Sequence, residues 1–125
     1  MYMKKILCVI VLCLSTCIAS ATCWGYTKSL QANLGYGWES VPCDYIPWSI
    51  NDYTLVIESQ NRQIYHIYKT ETISDTTERR ELWFWATDKD GVNCRVRFLI
   101  RGTLAEFYIE YNNIRYAYSI TINCD

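Results

Sequence analysis

Between Asp52 and the C-terminus, apolar and polar residues alternate with a period of two, in stretches rich in β-branched and aromatic side chains. Alternation of this kind marks half-buried β-strands, and turn-forming residues separate the stretches. The pattern predicts strands over 53–59, 63–72, 80–87, 93–101, 104–111 and 114–123. Candidate turns then decide which residues share a face. A two-residue turn at Gly102-Thr103 brings Phe98 opposite Phe107, Val96 opposite Ile109 and Ile100 opposite Ala105. A second at Asn112-Asn113, whose side chains tolerate positive φ, places Ile109 opposite Tyr116 and Phe107 opposite Tyr118. These residues form one apolar face. An even-numbered loop around Asp90-Gly91 adds Trp83 and Trp85 to it, alongside Cys94. Because side chains alternate strictly, a slip of one residue at any turn moves a whole apolar set to the other side.

The opposite face carries one row of Phe84, Arg97, Tyr108 and Ala117 and another of Ala86, Arg95, Glu110 and Arg115. Arg95, Glu110 and Arg115 make a cross-strand ladder of alternating charge. With Leu82, Phe84, Leu99 and Tyr108, this face is more apolar than a solvated sheet surface. Either the N-terminal segment covers it or it is open to a partner. Tyr and Arg dominate binding hot spots, so Phe84, Arg95, Arg97, Tyr108, Glu110 and Arg115 are the candidate binding residues. The expected fold is all-β: an antiparallel meander of about six strands forming a small sandwich or barrel, with a disulfide-tethered N-terminal segment.

Before Asp52 the pattern is less regular. Ser29 to Leu34 followed by Gly35 reads as helical turns with a C-cap glycine, and Leu34 to Val41 reads equally as an added strand. Pro42 and Pro47 bracket Cys43 and suggest an extended connection. At the very start, Lys4 and Lys5 precede an apolar run from Ile6 to Ile18 and the small residues Ala19-Ser20-Ala21. This is the layout of a signal peptide over 1–21, cleaved before Thr22. Its apolar run of about 13 residues is shorter than the ~20 needed to cross a bilayer as a helix. The expectation is a single secreted, extracellular β domain over 22–125 with no transmembrane segment.

Cysteine usage agrees with that reading. The chain has seven Cys, and removing Cys8, Cys13 and Cys17 leaves Cys23, Cys43, Cys94 and Cys124, which read as two disulfides. In the meander Cys94 is level with Ile114, and ten further residues of strand separate it from Cys124, about 33 Å. A disulfide requires Cα atoms within roughly 7 Å. Cys94 and Cys124 must therefore each pair with Cys23 or Cys43.

Charge and composition narrow the function. The loss of Lys4 and Lys5 turns a net charge of −1 into ten basic against thirteen acidic side chains, net −3. That leaves no basic surplus for a phosphate backbone, and no nucleic-acid binding is expected. A single histidine excludes multi-His metal sites. Asp88, Asp90 and Asn93 around Gly91 lack the further ligands of a calcium loop, so neither metal nor cofactor is expected.

His66, with Glu58, Glu71 or Arg62 near it in sequence, is the one candidate for acid/base chemistry of the small-ribonuclease type. A two-residue turn at Gln60-Asn61 instead puts His66 on the face of Leu55, Ile57, Ile64 and Tyr68, away from Glu58. The aromatics Trp83, Trp85, Phe98, Phe107, Tyr116 and Tyr118 fill a core or line a calyx for a small hydrophobic or aromatic ligand. The leading expectation is a secreted, non-enzymatic binding protein acting on an extracellular protein, of the toxin, inhibitor or effector kind. A carrier of a small hydrophobic ligand and a small secreted hydrolase are the alternatives.

Overall fold

The computed structural model describes residues 22–43 and 45–125. The expected signal peptide lies outside the described residues. Ten strands follow one another: β1 (Cys23–Asn33), β2 (Trp38–Val41), β3 (Pro47–Ile50), β4 (Thr54–Ile57), β5 (Gln63–Asp75), β6 (Arg79–Thr87), β7 (Asn93–Arg101), β8 (Leu104–Glu110), β9 (Arg115–Ile120) and β10 (Asn123–Cys124). Every pairing is antiparallel, and strands β3 to β8 each pair with the next. The long β1 pairs with both β3 and β9 and so closes an eight-stranded barrel.

The N-terminal segment is thus the seam of the barrel rather than a strap laid across a sheet. The helical reading of 29–34 gives way to strand, and the added strand forms over Trp38–Val41. One edge of β1 takes β3 near Cys23 and β2 near Asn33; the other takes β10 and then β9. Just past the β1–β3 ladder, buried Thr27 bonds the residue before β3. Its N–H donates to the Ile46 carbonyl at 2.9 Å, and its Oγ1 accepts from the Ile46 N–H at 2.9 Å. The strand expected over 114–123 breaks after Ile120 and resumes as β10.

Two of the registers read from the sequence match those observed. Phe98 faces Phe107, Ile109 faces Tyr116, and Arg95, Glu110 and Arg115 stand side by side across β7, β8 and β9. Two others are shifted by one residue. At the β6–β7 turn the Asp88 N–H donates to the Val92 carbonyl at 3.0 Å, closing a three-residue loop. Gly91 occupies it with φ 79°, the left-handed position that makes a G1 bulge. An odd loop reverses the parity, so Trp83 pairs with Arg97 and Phe84 with Val96. Leu82, Phe84 and Ala86 point inward and Trp83 and Trp85 outward.

The β4–β5 turn likewise departs from the two-residue expectation, since Ile57 pairs with Gln63. Leu55, Ile57 and Tyr65 are buried, whereas His66 is exposed and does not share their face.

The interior is packed solid with rings. Trp48 lies 5.6 Å from Phe98 and 5.5 Å from Phe107, Phe98 is 6.0 Å from Phe84, and Phe107 is 5.0 Å from Tyr118. These tilted and edge-on contacts are the favourable arrangements for aromatic quadrupoles. Leu55, Ile57, Val96 and Ile109 complete the core, and the Trp48 indole N–H donates to the Thr121 carbonyl at 3.2 Å.

One disulfide joins Cys23 to Cys124, with Cα atoms 4.1 Å apart. The excluded Cys94–Cys124 bridge is absent, but the expected second bridge is absent too: Cys43 and Cys94 carry free thiols. They are held by different surroundings. The Cys43 Sγ sits 3.0 Å from Thr27 Oγ1 at the seam, while Cys94 is buried between Asp88 and Tyr111. Burial pushes the Cys94 thiol up to about 11, with the Asp88 charge adding to it, which favours the protonated thiol over the nucleophilic thiolate.

Candidate functional site

Three rows of side chains cross the outer face of β5 to β9. A register shift between Ile67 and Lys69 sets Lys69 opposite Trp85 and Glu71 opposite Trp83. One row then reads Lys69, Trp85, Arg95, Glu110, Arg115, and the next Glu71, Trp83, Arg97, Tyr108, Ala117. The third carries Glu81, Leu99, Glu106 and Ser119. Aromatic rings and cations alternate along and between these rows.

Arg95 lies 4.2 Å above the Trp83 ring, Arg97 4.6 Å above Tyr108 and Lys69 4.8 Å above Trp85. Trp83 and Trp85 meet edge to face at 6.0 Å. From β2, Trp38 reaches over the same surface, 6.5 Å from Tyr108 and 5.7 Å from the Arg115 guanidinium. The N-terminal part of the chain touches this face through Trp38, while Lys69 and Arg115 stay exposed and Trp83, Trp85 and Tyr108 are half-buried.

Two carboxylates fasten the layer from beneath. Glu110, only 9% exposed, accepts from Arg95 Nε at 3.0 Å and Nη2 at 2.8 Å and from Arg97 Nε at 3.0 Å. Glu81, 5% exposed, accepts from Arg79 Nη2 and from the Trp83 indole N–H, both at 2.6 Å, and lies 3.7 Å from Arg97 Nη1. Arg97 thus ties both carboxylates together while its guanidinium face covers Tyr108. A planar guanidinium can do both because its donors lie in the plane and its π surface lies across it.

Burial works against the charge on Glu81. The indole and guanidinium hydrogen bonds and the Arg79 and Arg97 charges outweigh it and hold the carboxyl below its ordinary 4.5. Such a group stabilises the folded state above its unfolded pKa, and that contribution is lost as pH falls through the folded value. Urea midpoints should be steady from about pH 7 to 5 and decline below about 4.5. In Glu81→Gln the plateau should drop and the acid limb flatten relative to wild type. An acid limb of unchanged steepness in that variant would remove Glu81 from the account.

Of the six binding candidates, Arg95, Arg97, Tyr108, Glu110 and Arg115 converge on this surface. Phe84 does not: the odd β6–β7 loop turns it into the core, where it is 2% exposed. Trp83, Trp85, Lys69, Glu81 and Trp38 belong to the face instead. The signal that identifies the tryptophans is the Asp88-Lys89-Asp90-Gly91 stretch itself, read as a type I turn with a glycine bulge. Asp88 Oδ1 accepts from the Asp90 and Val92 N–H groups, each at 2.9 Å, which is the side-chain bracing such a turn uses.

The acid/base constellation around His66 does not assemble. Glu58 is paired with Arg62 at 2.8 Å on the β4–β5 turn, and Glu71 stands five residues further along β5, opposite Trp83. Among the described residues no cluster of His, Cys, Asp and Glu is arranged to hold a metal ion.

A second concavity, of about 490 Å³, opens at the end of the barrel where the β6–β7 and β8–β9 turns meet the start of β5. Tyr65, Tyr111, Tyr116 and Tyr118 line it, with Asp88 and Asp90 at its polar side. Of the expected core residues, Tyr118 is buried with Phe98 and Phe107 in the core and also floors this cup, whereas Tyr116 is half-buried along its wall.

No protein-family model matches the chain, and no curated protein or solved structure matches it.

Proposed function

We propose that the protein is a secreted, non-enzymatic binding protein that engages an extracellular protein partner through the outer face of β5 to β9. The observation that carries this reading is the ring-and-cation layer of Trp83, Trp85, Tyr108, Arg95, Arg97 and Lys69, braced by Glu81 and Glu110. Side chains of these types supply most hot-spot energy at protein interfaces. Holding them in place before contact lowers the ordering cost of association. Glu81 and Glu110 are buried in their ion pairs, while Arg79 and Arg95 remain 48% and 38% exposed and Lys69 and Arg115 are exposed beside them, so cations and rings outnumber the accessible carboxylates of Glu71 and Glu106 on this surface. A partner with an acidic, partly apolar epitope is its complement. The ring-filled interior favours a surface mode of action over carriage of a ligand inside the barrel.

The test is a screen against purified extracellular domains, followed by titration of each binder with matched variants. Trp83→Ala and Trp85→Ala should each weaken binding by tenfold or more, which corresponds to about 1.4 kcal/mol or above. Trp24→Ala and Tyr26→Ala, exposed on β1, should leave affinity within about twofold. A partner lost with the β1 variants and retained with Trp83→Ala would overturn the assignment.

A further inference from the structure

The cup at the barrel mouth is separate from the outer face and has its own chemistry. We propose that it is a binding site for a compact organic cation, an ammonium carried on a flat aromatic body. Its volume of about 490 Å³ lies within the range of small-molecule sites. The floor is formed by Tyr65 and Tyr118, 5% and 4% exposed, and Phe107 closes the barrel 5.0 Å from Tyr118. A long acyl chain therefore has no channel to enter, whereas a single ring fits between phenol walls.

Charge chooses the sign of the ligand. Asp88 and Asp90 stand at the polar side, and the neighbouring Lys89 Nζ is turned to the Arg62 carbonyl at 3.3 Å. A carboxylate offers about four acceptor positions. In Asp88, Oδ1 takes the Asp90 and Val92 N–H groups, and Oδ2 takes the Tyr111 hydroxyl at 2.7 Å. One acceptor position on Oδ2 is left, beside the cavity. Burial disfavours the charge on Asp88, but the Val92 N–H and Tyr111 hydroxyl bonds prevail and keep the carboxyl ionised below its ordinary 3.8. Burial raises the Tyr65, Tyr111 and Tyr118 phenols, so the walls are neutral rings whose faces attract cations. An anion would meet the two carboxylates of Asp88 and Asp90 against the single ammonium of Lys89 on the cup's lining.

Calorimetric titration with phenethylamine and its near-isosteric acid, phenylacetate, separates the signs directly. The amine should bind with one-to-one stoichiometry and at least tenfold more tightly than the acid, and dodecanoate should not bind. Asp88→Asn should abolish the preference for the amine. Because Asp88 also braces its turn, Tyr116→Leu provides a second variant that removes a wall ring and leaves the turn intact. It should weaken the amine at least fivefold. Trp83→Ala should bind the amine as wild type does, which keeps this site distinguishable from the outer face. Absence of amine binding, equal binding of the acid, or tighter binding of dodecanoate would each overturn the proposal.

Discussion

Cys23→Ser combined with Cys124→Ser should lower the unfolding free energy by about 4 kcal/mol. The two cysteines are 101 positions apart, so the bridge closes nearly the whole described chain into one loop. Restricting an unfolded loop of that length is worth on the order of 4 to 5 kcal/mol in the chain-entropy account. The effect is concentrated where the fold is least supported. Cys124 belongs to β10, a strand of two residues whose partner is the first turn of the seam, β1. Without the bridge, β10 is held to β1 by a few backbone hydrogen bonds, and the melting temperature should fall on the order of 20 °C for a domain of this size. Thermal and urea unfolding of the oxidised wild type and the double variant measure this. A loss below about 1 kcal/mol would mean that the seam is closed by packing alone.

Gly25→Ala should cost about 3 to 5 kcal/mol, through contacts rather than through backbone entropy. A Cβ at this position would stand 2.0 Å from the Thr121 carbonyl oxygen and 2.7 Å from its carbonyl carbon. Both are main-chain atoms and cannot move alone. The Thr121 N–H donates to the Tyr26 carbonyl, Thr121 Oγ1 accepts from the Tyr26 N–H, and the Thr121 carbonyl accepts from Trp48, at 2.9, 2.9 and 3.2 Å. Moving the β9–β10 junction outward breaks this set, at about 1 kcal/mol per bond, and loosens the Trp48 ring from Phe98 and Phe107. Urea unfolding with near-UV circular dichroism reads both consequences. A variant as stable as wild type, with an unchanged aromatic signal, would show that the junction has room for a methyl group and that no clash with Thr121 arises.

The four hairpins after Asp52 that were read by turn type divide cleanly by loop parity. Gly102-Thr103 and Asn112-Asn113 are two-residue turns, and the faces inferred from them are those observed for β7, β8 and β9. The loops at Gly91 and at 58–62 contain an odd number of residues, and each reverses the faces of the strands before or after it. Even-numbered loops at these two places put Phe84 on the surface, Trp83 and Trp85 in the core and His66 on an apolar face; the odd loops reverse all of them. Alternation alone offers no correction in β6, because both of its faces are apolar: Leu82, Phe84 and Ala86 on one, Trp83 and Trp85 on the other.

Barrel closure was illegible for a different reason. The buried positions at the start of β1 are Cys23, Gly25 and Thr27, small or polar residues chosen by close strand approach and by the disulfide, so no bulky apolar repeat announces a strand. Part of the outer face is hidden in the sequence too, since Glu81 reads as an ordinary surface acid until Trp83 and Arg97 are seen to enclose it.

The proposed contact surface is centred on the outward tryptophans of β6. Oxidative footprinting of the protein alone and saturated with a purified partner tests it most directly. Trp83, Trp85 and Tyr108 should react in the free protein and be protected severalfold in the complex, with Trp24, Tyr26 and Tyr53 reacting equally in both. Protection confined to Trp24 and Tyr26, with Trp83 and Trp85 unchanged on binding, would contradict it.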